Sequence, residues 1–256
     1  MVDRNEQPFP PLAISDLLIL TLCVAFTLAP IAKNYQEALQ RGDITAWQAM
    51  PDLFDYLAIG TALFGLIVLV RQRIRHEAVP LSPGHWVLVA VGPYSVCALG
   101  SLLIRPLILA YVSNGRPGTH ATDNLFFVAI IGCSIVLSLP AMRALEWRWR
   151  ACIGLIYAWL TAMAFWLMLD AANVLGYWPM SSPWRQHLIA ISTTFEILAA
   201  VAAVVALAVD TAKRVRRDWL HYFGIASIVL GSIEVAFTWG RFSVRFWRDL
   251  FLHLLP

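Results

Sequence analysis

Lysine is almost absent from this chain: Lys33 and Lys213 are two of its 19 basic residues, and the rest are arginine. Both lysines stand at the ends of apolar runs, so no amine is available inside a helix bundle for a Schiff base with an aldehyde cofactor. Charge of either sign is scarce, at 14% of residues against roughly 25% in ordinary soluble domains. No polar stretch approaches the length of a soluble domain. The four cysteines, Cys23, Cys97, Cys133 and Cys152, make no CxxC and no Cys/His spacing of a metal site, and are read as buried thiols acting as small hydrophobes.

Catalytic signatures are also missing. There is no HExxH and no GxGD, and no nucleotide-binding loop. Gly132-Cys133-Ser134 has the GxS form of an intramembrane serine protease, but no later span carries the histidine a dyad would need. Haem would require paired histidines, His85 with His221 or His120 with His187, and all four fall at span ends, where an interfacial role is expected. No cofactor, no metal and no catalytic residue is therefore expected. The arginines cap apolar segments instead of forming one basic face, which excludes nucleic acid as a partner.

What the chain has is hydrophobicity in long runs, 59% of residues in all, with a net charge of only +3. Runs of about 20 apolar residues match the hydrocarbon thickness of a bilayer. The sequence predicts an all-α, polytopic integral membrane helix bundle in one domain, with seven transmembrane helices. They are expected near residues 12–32, 53–70, 86–112, 125–142, 151–175, 187–209 and 219–239. The first run is longer than a signal-peptide core and opens with one arginine against Asp3, Glu6 and Asp16, so it is read as a retained helix. Segment 33–51 is expected as an outer loop with an interfacial helix, 113–124 as a loop, and 241–256 as an amphipathic tail. Pro93 and Pro106 are expected to tilt or kink the third span.

Direction follows from the basic residues. With the amino terminus in the cytoplasm, Arg4, Arg71, Arg73, Arg75, Arg143, Arg148, Arg150, Lys213, Arg214, Arg216 and Arg217 lie inside, and Lys33, Arg41, Arg116 and Arg185 lie outside. This asymmetry fits the positive-inside rule and sets the amino terminus cytoplasmic. The preference for arginine over lysine points to a bacterial inner membrane. Asp16, Asp210 and Asp218 fall at inner span ends and are expected to be solvated.

Ionisable groups within the spans are costly in lipid and mark sites by default. Glu196 lies midway along the sixth span, one turn after Ser192. Glu234 shares a face with Ser227, Gly231 and Thr238. Asp170 aligns with Asn173, and Arg105 aligns with Tyr94 and Ser101. In the expected topology Arg105, Asp170 and Glu234 fall in the outer half, with Asp55 near the outer end of the second span. The expectation is a polar cluster of Arg105, Asp170, Glu196 and Glu234, flanked by Asp55, Tyr94, Ser101, Asn173, Ser192 and Thr238, lining an acidic cavity. Such a cavity suits a proton, a cation or a small cationic ligand. The functional classes are then a small transporter or channel-like binding protein, a subunit of a larger membrane complex with other membrane subunits as partners, and, third, an intramembrane enzyme. The lipid bilayer is the common partner of all three.

Overall fold

A computed structural model describes residues 13–41, 46–74, 81–111, 117–177 and 182–238. Helices account for nearly all of them, and no strand occurs among them. In chain order they are α1 (Ile14–Arg41), α2 (Ala46–Ile74), α3 (Pro83–Tyr111), α4 (Pro117–Ser138), the single turn α5 (Ala141–Ala144), α6 (Trp147–Val174), α7 (Ser182–Ala212) and α8 (Trp219–Thr238). Among the described residues five stretches are long and apolar enough to cross a membrane: Met50–Ile74, Ala121–Ala144, Trp147–Val174, Gln186–Ala212 and Trp219–Thr238. A shorter apolar stretch, Ile14–Ala29, lies in α1. The outward surface carries Phe26, Ile67, Val136, Leu137, Phe165, Val201 and Val205. Large apolar side chains in that number belong against lipid tails rather than water. The protein is an integral membrane helix bundle.

Helix ends depart from the sequence reading in three places. Residues 33–41, part of the outer loop with an interfacial helix expected over 33–51, continue α1, and α2 begins at Ala46. The segment is rich in Ala, Gln, Glu, Leu and Arg, which favour helix. The Tyr35 hydroxyl donates to Asp52 and clasps the two helices where they leave the bundle. Pro117 opens α4 inside the expected loop 113–124, because proline at the first helical position gives up no hydrogen bond. Trp147, Arg148, Trp149 and Arg150, expected as a polar boundary, form the first turn of α6. α3 runs unbroken through Pro93 and Pro106. The tail 241–256 lies outside the described residues.

α3 sits at the centre, against α2, α4, α8 and α6, while α1 packs on α2 and α4 on α6. α2 against α8 and α6 against α7 are the most extensive pairings. The larger core joins α3, α6, α7 and α8 through Val87, Trp149, Ile153, Ile156, Leu160, Ala199, Ala203 and Ile228. Alanine on α7 lets α6 approach closely, and the Cys152 thiol reaches the Ala199 carbonyl at 3.6 Å. A smaller core gathers Phe64, Val68, Leu88 and Leu220, capped by Trp219 and Phe223. All four cysteines are free thiols, with Cys133 exposed and the others buried.

Candidate functional site

Five helices each present one stripe at helical spacing to a shared cavity of about 380 Å³. α2 contributes Asp55, Ala58 and Ile59. α3 contributes Val91, Tyr94 and Ser95, and α6 contributes Trp159, Met163 and Trp166. α7 contributes Leu188, Ile189, Ser192, Thr193 and Glu196, and α8 contributes Ser227, Ile228, Gly231, Glu234 and Val235. The offsets of three and four residues along every stripe are those of one helix face. The cavity extends from mid-bundle toward the end where α2 and α7 begin and α6 and α8 finish.

Three carboxyls from three helices, Asp55, Glu196 and Glu234, line it. Glu196 is 7% exposed, and its carboxyl has no hydrogen bond or ion pair among the described residues. Its backbone carbonyl accepts from the Ser232 hydroxyl at 3.2 Å, which ties α7 to α8 at that level. Glu234 accepts from Thr238 Oγ1 at 2.8 Å. Among the described residues no lysine, arginine or histidine is in the lining. The lining also carries Tyr94, Trp159 and Trp166, with the Tyr94 and Trp159 rings edge to face at 6.0 Å.

Of the residues singled out from the sequence, Glu196, Glu234, Asp55, Tyr94 and Ser192 lie in this lining. Thr238 supports Glu234 from one turn further on. Asp170 does not line the cavity: it is buried on α6 and accepts from Asn124 Nδ2 of α4 at 3.0 Å. Asn173 is exposed. Arg105 and Ser101 stand on α3, with side chains outside the described residues. Among the described residues no group of three or more His, Cys, Asp or Glu side chains is arranged to hold a metal ion.

The opposite end of the bundle holds a polar network that the sequence reading missed. His85 and His221, expected at the interface, are both 0% exposed. His85 Nδ1 accepts from the Ser82 amide at 3.2 Å, which leaves the proton on Nε2, donated to Asp218 Oδ1 at 2.9 Å. Asp218 also accepts from the His221 amide at 2.8 Å, capping α8. His221 Nδ1 in turn accepts from the Gly84 amide at 2.8 Å, at the start of α3. The two parallel helices therefore cap each other.

Beside them Asp210, 1% exposed, pairs with Arg148 at 2.5 Å and with Arg217 at 2.8 Å, and accepts from Trp149 Nε1 at 3.2 Å. Asp16 pairs with Arg71 at 3.0 Å. The three aspartates expected in solvent are thus ion-paired or hydrogen-bonded, because charges near the end of an apolar helix lose water and must find partners. An aspartate three residues before an amide it can cap was the available signal at Asp218.

Compared with known protein families, curated proteins and solved structures, the chain matches none.

Proposed function

We propose that this chain is a small membrane carrier or channel-like protein whose cavity binds a cation or a proton on its way across the bilayer. The observation that carries the reading is Glu196: a carboxyl buried at mid-bundle, without a partner among the described residues, in a cavity whose described lining holds two further acids and no basic group. Structural charges in a bundle are paired, as Asp210 is at the other end. A carboxyl held unpaired in a space large enough for a ligand is matched to something that enters. The positive-inside pattern supports a cavity open toward the outer face, from which a cation would reach Glu196.

Reconstitution into vesicles tests the reading. Proton and monovalent-cation fluxes driven by an imposed gradient are measured for the wild type and for Glu196→Gln, with thermal unfolding in detergent to show that both fold. Flux falling at least tenfold in the variant supports the proposal. Equal flux through a folded variant removes Glu196, and with it the carrier reading.

A further inference from the structure

The walls of the cavity narrow the cargo. Three observations bear on its chemistry. First, the carboxyls are not arranged to hold a metal ion. A divalent cation stripped of water needs about six oxygen ligands at roughly 2.0–2.6 Å, which separated acids on three helices do not supply. Second, a space of about 380 Å³ falls within the range of small-molecule sites, roughly 300–1,000 Å³, and exceeds what a bare ion needs. Third, the Glu196 carboxyl has no partner among the described residues, and the rings of Tyr94 and Trp159 stand edge to face at 6.0 Å in the same lining. One offers an acceptor and a negative charge, the others aromatic rings.

We propose that the cavity binds a monovalent organic cation, an ammonium group carried on an apolar or aromatic body. The proposal rests on the carrier reading above. The ammonium group lies between Glu196 and the faces of Tyr94 and Trp159, where ring quadrupoles attract a desolvated cation. Met163, Ile189 and Ile228 take the apolar body.

Calorimetric titration of the full chain in mild detergent tests this with benzyltrimethylammonium, uncharged benzyl alcohol and calcium chloride. The organic cation should bind at least tenfold more tightly than the alcohol. Trp159→Leu should weaken it roughly five- to thirtyfold, and Glu196→Gln at least tenfold. The wild type supplies a check that needs no variant: benzyltrimethylammonium, and not benzyl alcohol, should protect Glu196 from a hydrophobic carbodiimide, read by peptide mass. Equal binding of the alcohol, preference for calcium, unchanged affinity in a folded Trp159→Leu, or no protection of Glu196 overturns the proposal. Where no organic cation binds yet vesicle flux still depends on Glu196, this inference falls and the carrier reading stands. Flux that ignores Glu196 overturns the carrier reading itself.

Discussion

Gly231 of α8 lies against the carboxyl of Glu196 on α7: a β-carbon at position 231 would stand 3.3 Å from Glu196 Oε1 and 3.7 Å from the β-carbon of Ala58 on α2. Three helices therefore meet around one missing side chain, and the space it leaves is where the carboxyl sits. Gly231→Ala should be tolerated at a cost below about 1 kcal/mol, because a carboxyl can give by a few tenths of an ångström. Gly231→Leu should cost roughly 1–3 kcal/mol and remove cation binding by filling the cavity. Thermal unfolding and calorimetric titration of the two variants check this; full binding in a folded Gly231→Leu would place the ligand elsewhere.

The crossing of α3 and α8 at the other end is tighter. A β-carbon at Gly84 would meet the His221 carbonyl oxygen at 2.2 Å, and one at Gly224 would meet the Gly84 carbonyl oxygen at 2.2 Å. Backbone cannot yield as a side-chain tip does. Gly224→Ala should therefore destabilise by about 3 kcal/mol, the upper part of the overpacking range, and more than Gly231→Ala. Equal unfolding midpoints for the two alanine variants would contradict the close crossing.

Asp210 serves two arginines from a fully buried position. Asp210→Asn leaves Arg148, only 8% exposed, with the exposed Glu146 at 2.6 Å as its remaining countercharge, and should cost about 3 kcal/mol, the low end for breaking a buried pair. Removing both charges, as in Arg148→Met with Asp210→Leu, should recover part of that loss, since the stranded charge is the larger penalty. Unfolding of the single and double variants in detergent measures the difference. A double variant no more stable than the single one would contradict it.

Asp218 gives a pH dependence. Burial by itself would raise its carboxyl, but the hydrogen bonds from His85 and from the amide of His221 outweigh burial and hold it below the usual carboxylate range. A carboxyl lowered in the folded state stabilises above its unfolded value, about 3.9, and loses that contribution as pH falls through the folded value. Asp218→Asn should be less stable than the wild type at pH 7, and the gap should close below about pH 4. Unfolding midpoints from pH 7 to 3 test it; a gap that stays constant would mean that the carboxylate charge does not act there.

The helices and their membrane setting were legible because each depends on residues close in sequence. Apolar runs, proline at helix starts and the stripes of Ser227, Gly231 and Glu234 or Ser192 and Glu196 all repeat at local spacing. The stripe on α8 was read before its neighbours were known, and three of its members reach the cavity wall. Residues 117–124 have the composition of a loop, and Pro117 opens a helix there all the same. Trp159 and Trp166 pass for packing in the sequence, since nothing local marks an aromatic ring that will share a cavity with three acids.

Cost in lipid is a property of the residue, so the sequence by itself determined which charges in the spans needed an explanation. Asp55, Asp170, Glu196 and Glu234 are equal on that measure. Only the tertiary structure decided between them, by bringing α2, α7 and α8 together so that three acids share a cavity while Asn124 of α4 engages the fourth. The same holds for His85 and Asp218, which are 133 residues apart in sequence. Partnership across a bundle depends on how helices cross, and crossing depends on small residues such as Gly84, Gly224 and Gly231 meeting the right surface. No local pattern encodes that meeting.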